Sequence, residues 1–166
     1  MRYIMKQKIL SWSDNFVIRD QNEREAFRVK GLVFSFGDKL SFQDGSGQEL
    51  AHIAQKVLSW GPTYEVTRGG ETLAVVKKKL FTFFKCSFMV DVPGPDDLKA
   101  EGNLLNHEYV FTQHGKQVAS VSKKWFSWSD TYGIDINAGE DTVLILCSAV
   151  IIDMACHDNH NHGHHH

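Results

Sequence analysis

Apolar and polar residues alternate along most of the chain, and one version of this pattern occurs three times, in residues 47–60, 70–83 and 115–128. Each copy begins with a glycine, continues with an apolar residue, an alanine and a β-branched residue, and ends on lysine, an apolar residue and an aromatic. The glycine provides the positive φ of a tight hairpin turn. The alternation that follows is typical of a half-buried β-strand.

A polar turn comes after several copies, and an aromatic residue (Phe16, Tyr64 or Tyr132) is then predicted to open the next strand. The copies start about 23 and then about 45 residues apart, which favours meandering hairpins in one closed sheet over a solenoid. Counting runs between turn signals gives roughly twelve short strands. Further strands are predicted at Lys39–Asp44, Cys86–Val92 and Glu108–Thr112, and one helical turn at Pro95–Ala100.

The C-terminal run from Val143 to Cys156 breaks the alternation, because it is apolar on every face apart from Ser148 and Asp153. It is too short for a bilayer, which needs about 20 residues, and long for a strand, so a helix enclosed by protein is favoured. Glu140–Thr142 is a plausible N-terminal cap. A barrel of about twelve strands is wider than its own side chains can fill, and this helix would fill it.

Composition limits the function classes. The chain has 166 residues, 23% charged and 42% hydrophobic, which is typical of one globular domain, predicted over residues 1–156. The His-rich residues 157–166 are interpreted as a tag or a disordered tail. A net charge of -2 argues against a nucleic-acid partner. Three cysteines, an odd number, favour a reducing cytoplasm over a disulfide scaffold.

Several short motifs occur in a fixed order along the chain: the Lys-x-Leu-Ser-Trp copies, Tyr109-x-Phe111, Val118–Lys123, Ser127–Tyr132 and the closing series Asp141, Cys147 and Asp153. Together they resemble the bacterial branch of the LURP-one-related family, which belongs to the tubby C-terminal-like superfamily and is related to phospholipid scramblases. The resemblance implies a mainly β fold: a closed antiparallel barrel of about twelve strands around a buried C-terminal helix. Tubby relatives resemble membrane-tethered regulators that hold phosphoinositide headgroups with basic residues.

Two lysine clusters occupy equivalent places in two repeats, and they are the candidate binding site for a lipid headgroup or another anion. Clustered lysines gain roughly 1 kcal/mol per charge at an anionic lipid surface. The alternative is that they protect sheet edges and maintain solubility. The clusters comprise Lys77, Lys78, Lys79 and Lys85 in one repeat and Lys123 and Lys124 in the other.

Other chemistry has weaker signals. Trp12, Trp60 and Trp128 recur after serine, which favours packing over a ligand cage. The cysteines lack metal-ligand spacing, and no hydrolase or phosphate-loop motif occurs, so neither a cofactor nor a catalytic residue is predicted. Cys147 is expected in the core. Asp153 is expected to mark the helix exit, where it would reach solvent or a lysine.

Three hypotheses remain open from the sequence. The favoured one is a non-enzymatic interaction module for phospholipid headgroups or a membrane-associated partner, in the cytoplasm or peripheral to a membrane. The second is a structural or regulatory barrel that binds a protein and no small ligand. The third is a ligand carrier or enzyme, which a deep polar pocket would support.

Overall fold

The computed structural model describes residues 1–7, 14–31, 39–56, 61–82, 85–124, 126 and 131–157. These residues form twelve strands and one helix. The strands are β1 Arg2–Gln7, β2 Asp14–Arg19, β3 Glu25–Gly31, β4 Lys39–Asp44, β5 Glu49–Gln55, β6 Thr63–Arg68, β7 Glu71–Thr82, β8 Lys85–Asp91, β9 Leu98–Asn103, β10 Glu108–Gln113, β11 Lys116–Ser122 and β12 Thr131–Ile136, and the helix is α1 Thr142–His157.

The strands form a closed antiparallel barrel in which each strand pairs with its neighbours along the chain and β1 closes the sheet against β12. The predicted fold class is therefore confirmed. The closing pair is in register from Arg2 opposite Asp135 to Lys6 opposite Thr131. On the outer face, the Arg2 guanidinium donates two hydrogen bonds to the Asp135 carboxylate, at 2.8 and 3.0 Å.

The helix α1 fills the barrel, as its sequence predicted. Every residue from Leu144 to Cys156 is buried, including the predicted core residue Cys147. The Asp141 carboxylate accepts a hydrogen bond from the Leu144 backbone N–H at 3.1 Å, which confirms the predicted N-terminal cap. Sixteen residues give the helix a length of about 24 Å. Within the described part of the chain, no helix has the length and apolarity needed to cross a membrane.

We name the two ends of the barrel after the helix: α1 begins at the entry end and finishes at the exit end. At the entry end, where α1 begins, lie the turns at residues 20–24, 44–48, 69–70 and 114–115. At the exit end, where α1 finishes, lie the last residues of β1, β3, β5, β7, β9 and β11 and the four-residue turn 104–107. This division follows from the alternating strand directions, and it decides which side chains share a surface.

Local predictions agree with the structure in most places. Phe16, Tyr64 and Tyr132 are all buried near the start of strands. The predicted helical turn at Pro95–Ala100 is wrong, because Leu98 and Ala100 belong to strand β9 and are buried in the core of the barrel. Their alternation with exposed charged residues is a strand pattern that outweighs the helical signal of the proline. The three predicted packing residues Trp12, Trp60 and Trp128 lie outside the described residues, as do residues 158–166.

Gly102 in β9 holds a position that a side chain would disrupt. Its φ is +137°, and an added Cβ would lie 2.7 Å from the Glu108 carbonyl oxygen and 2.8 Å from the Tyr109 Cα. Both of these are backbone atoms of the neighbouring strand, so they cannot move aside without disturbing the β9–β10 pairing. Gly115, in the turn before β11, has a φ of +76° but open space around it.

We expect Gly102→Ala to lower the free energy of unfolding by about 2–4 kcal/mol, because the backbone strain and the overlap with β10 add together. Gly115→Ala is the matched control, with a loss of about 1–2 kcal/mol from its positive φ alone. Urea denaturation followed by circular dichroism measures both changes. Equal losses for the two variants would contradict the close approach at Gly102.

Candidate functional site

Asp153 lies inside the barrel near the end of α1 and is held by two side chains of the wall. Its Oδ1 is 3.1 Å from Nε2 of His107, and its Oδ2 accepts a hydrogen bond from the Tyr132 hydroxyl at 3.0 Å. The Tyr132 oxygen also lies 2.8 Å from the Met5 sulfur. Because a hydroxyl has a single proton, the carboxylate is the stronger competitor for it. We refer to His107, Asp153 and Tyr132 as the buried polar cluster.

His107 reaches Asp153 from the β9–β10 turn at the exit end. The residue adopts a φ of +53°, and its backbone N–H donates to the Leu104 carbonyl at 3.3 Å. Its ring stacks on that of Tyr132, with the centroids 4.3 Å apart. The side chain is 7% exposed and that of Asp153 is 2% exposed. This depth favours a structural role for the cluster over contact with a substrate.

The environment of the cluster keeps two tyrosines neutral. Burial raises the pKa of Tyr132 well above its ordinary value, and the negative charge of Asp153 raises it further. The pKa of Tyr109 is raised in the same way, first by burial and then by the negative charge of Asp153. A phenolate would have to share a low-dielectric space with a carboxylate, so both hydroxyl groups retain their protons.

The structure brings both predicted lysine clusters to the exit end. The β7–β8 hairpin extends beyond β6, which begins opposite Lys77, and carries Lys78, Lys79 and Lys85. Lys123 and Lys124 directly follow β11 at the same end. The two clusters are separated by β9 and β10 in the strand order, so the nearest strands that carry them, β8 and β11, lie roughly 14 Å apart along the sheet at a strand spacing of about 4.8 Å.

The lysines do not all have the same surroundings. Lys77 is on the outer face, with its Nζ 3.5 Å from an Asp91 carboxylate oxygen. Lys78 is two residues after the buried Val76, so it occupies an inward-facing strand position, opposite the buried Phe88. It is only half-buried because it lies at the mouth of the barrel. Lys124 is exposed. Of the first cluster, Lys78 is therefore better placed than Lys77 to offer its charge at the exit end.

A protein-family model described as LURP-one-related matches residues 1–153. The chain belongs to the LURP-one-related family. It is 39% identical to the uncharacterized protein YxjI of Bacillus subtilis (strain 168) over 155 residues, which cover 93% of each chain. It is 40% identical to protein LURP-one-related 15 of Arabidopsis thaliana, over 89% of this chain and 76% of that protein.

A solved structure agrees with the LURP-one-related architecture. The X-ray structure of a protein from Arabidopsis thaliana has a TM-score of 0.66 to this chain, covering 91% of this chain and 90% of that one. At 23% identity this likeness supports the fold alone. The resemblance stated from the sequence motifs is thus confirmed for family and fold.

The buried polar cluster corrects one prediction from the LURP-one-related sequence. Asp153 was expected to reach solvent or a lysine, and it is instead 3% exposed and bonded to His107 and Tyr132. No motif in the sequence singles out His107. The signal that was available is the carboxylate itself, because a charge in an otherwise apolar helix needs partners. The sequence does not show which wall residues supply them.

The entry end carries a shallow open depression beside the start of α1, lined in part by Glu49, Arg68 and Val143. The Arg68 guanidinium and the Asp141 carboxylate form an ion pair there, with a shortest distance of 3.0 Å. In the described part of the chain, no group of three or more His, Cys, Asp or Glu residues is arranged to hold a metal ion. The depression does not coincide with the lysine clusters.

We expect Asp153→Ala to lower the free energy of unfolding by about 3–5 kcal/mol, because it leaves buried His107 and Tyr132 groups without the carboxylate. Tyr132→Phe removes one hydrogen bond to that carboxylate and costs about 1.5–3 kcal/mol. Ser148→Ala, on the same buried helix, is the control at about 1 kcal/mol. Chemical denaturation measures all three, and an Asp153→Ala loss no larger than that of Ser148→Ala would contradict a stabilising role for the cluster.

The raised pKa values of Tyr109 and Tyr132 predict a loss of stability in alkali. An unfolded tyrosine ionises near its ordinary pKa of 10.0, whereas the folded protein keeps both hydroxyls protonated. The stabilisation is therefore complete below about pH 10 and is lost as the pH rises toward the folded-state pKa values. In an alkaline titration, tyrosinate absorbance from these two residues should appear together with unfolding. Phe variants assign the signals, and ionisation in the folded protein at an ordinary midpoint would contradict the prediction.

Proposed function

We propose that this LURP-one-related protein is a non-enzymatic module that binds anionic phospholipid headgroups through the lysines at the exit end of the barrel. The observation that carries the proposal is that both lysine clusters lie at one end of the barrel, although Lys85 and Lys123 are 38 positions apart in the sequence. Peripheral membrane association follows from this proposal. If the two clusters lay at opposite ends of the barrel, the alternative role of the lysines, protection of sheet edges and solubility, would be favoured instead.

The geometry favours separate headgroups over one. A gap of roughly 14 Å between the clusters, set by three strand spacings, is wide for a single phosphate group. Each lysine near an anionic lipid surface contributes roughly 1 kcal/mol, so several acting together give useful affinity without a deep pocket. Such binding weakens as salt screens the charges.

The proposal predicts that Lys78→Glu combined with Lys124→Glu, one change in each cluster, weakens binding to vesicles of phosphatidylcholine and phosphatidylserine by roughly tenfold or more. Vesicle sedimentation at low and physiological salt measures the effect. The matched control is Lys99→Glu with Lys116→Glu, which changes the net charge equally but lies on β9 and β11 toward the entry end. This control should bind nearly as well as the unchanged protein.

Three results would count against headgroup binding. The first is a failure of the unchanged protein to sediment with anionic vesicles, and the second is binding that pure phosphatidylcholine supports equally. The third is an equal loss in the control and cluster variants. Competition with inorganic phosphate separates the two sources of the phosphate group: release at millimolar phosphate would indicate a site for free phosphate instead of a membrane surface.

A further inference from the structure

Leu105 is the one large apolar side chain that the described residues leave exposed at the exit end. It is 53% exposed, and the other exposed large apolar residue of the described chain, Met1, lies at the entry end. A single exposed leucine is ordinary on a protein surface. The significance of Leu105 comes from how its turn is built and from what surrounds it.

The turn that carries Leu105 is fixed from the inside. Leu104 is 3% exposed and His107 is 6% exposed, so the first and last residues of the four-residue turn face the core while Leu105 and Asn106 face outward. The Asn106 backbone N–H donates to the Asn103 side-chain oxygen at 3.2 Å. His107 is held by Asp153 of α1. Leu105 is thus presented at a defined place by contacts that reach the central helix.

The lysine clusters lie on the two sides of this turn. On one side, the β8–β9 register runs from Val90 opposite Leu98 to Ser87 opposite Glu101, which brings Lys85 level with the end of β9. On the other side, Tyr109 pairs with Val121, so Lys123 and Lys124 follow next to the start of β10. An exposed apolar tip between basic groups is the arrangement that amphipathic membrane-surface segments use.

Among the described residues, charge is polarised along the barrel axis. Beyond the two clusters, the described exit-end positions of other strands add Lys6, Lys30, Lys39 and Lys56, against Asp14, Glu65 and Glu108. Two of the exit-end lysines are already paired with carboxylates, Lys56 with Glu65 at 3.3 Å and Lys77 with Asp91 at 3.5 Å, so the excess positive charge comes from the others. At the entry end acidic residues outnumber basic ones, with Glu23, Glu25, Asp44, Glu49, Glu71, Asp96, Asp97, Glu140 and Asp141 among them. An anionic surface therefore attracts the exit end and repels the entry end.

We propose that the LURP-one-related barrel docks end-on to an anionic membrane, with Leu105 inserted between headgroups and the lysines of the exit end in contact with the lipid phosphates. This inference rests on the proposed function and adds its orientation and its apolar contact. The occupant of the surface is a bilayer, because an exposed apolar side chain with lysines on both sides complements a layer with acyl chains beneath charged groups.

The orientation is tested with an environment-sensitive nitrobenzoxadiazole label on a cysteine placed at either end, in a Cys86→Ala background. Cys147 and Cys156 are buried. On adding phosphatidylcholine–phosphatidylserine vesicles, the label at Leu105→Cys should increase in emission and shift to the blue. The label at Ala138→Cys, an exposed position of the entry end, should not change. A response at Ala138→Cys, or at neither position while the protein sediments, would overturn end-on docking.

The apolar contact is tested separately with Leu105→Ser. About half of Leu105 is exposed and can move from water into the bilayer. Replacing it by serine removes this apolar contact and should weaken vesicle binding about five- to tenfold. Leu105→Met is the conservative variant and should bind nearly as well as the unchanged protein. Leu105→Ser is expected to unfold at an unchanged urea concentration, which separates a binding defect from a folding defect.

The outcomes distinguish this inference from the proposed function. If the Lys78→Glu with Lys124→Glu variant loses vesicle binding and Leu105→Ser does not, headgroup binding stands and insertion is wrong. If the unchanged protein does not bind the vesicles at all, both fail. If an acidic protein such as polyglutamate displaces the barrel from vesicles and Leu105→Ser weakens neither interaction, the exit end is a general anion surface and the membrane-specific inference is overturned.

Discussion

A closed sheet of twelve strands encloses a lumen wider than its own inward side chains can fill, and the rest of the structure depends on how that space is occupied. The chain fills it with a helix that is apolar on every face, so the core has a continuous contact surface around the full circumference of α1. A helix of this composition is stable only when it is enclosed. Wall and helix are therefore each incomplete without the other.

The same enclosure explains the buried polar cluster. An apolar helix in an apolar tube has no strong preference for one depth or rotation, because apolar contact is non-directional. The Asp153 carboxylate removes that freedom, since it is satisfied only where His107 and Tyr132 converge. The cluster also fastens the β9–β10 turn to the helix. The need of the buried Asp153 carboxylate for hydrogen-bond partners thereby determines the conformation of the β9–β10 turn at the surface.

The sequence was sufficient for the architecture and insufficient for the cluster, for physical reasons. Alternation, turn glycines and the apolar run at residues 143–156 are local signals, and each acts within a few residues. The meeting of His107 and Asp153 spans 46 residues and depends on which strand ends surround the finish of the helix. The same limit applies to the lysines: their clustering was visible in each repeat, but their common end follows from strand direction. The wrong prediction of a helical turn at Pro95–Ala100 shows that local signals can compete. There the alternation of apolar and charged residues, which indicates a strand, outweighed the helical signal of the proline.

The order of elements along the chain has a consequence for synthesis. The helix that completes the interior follows all twelve strands along the chain, so it leaves the ribosome after them. Until then the nascent wall has no filling, and β1 cannot gain a lasting partner in β12 around an empty lumen. During translation the apolar inner faces of the hairpins are exposed together with open sheet edges, which is the condition in which chains associate wrongly. The fold thus places its greatest demand on chaperones in the interval before α1 emerges.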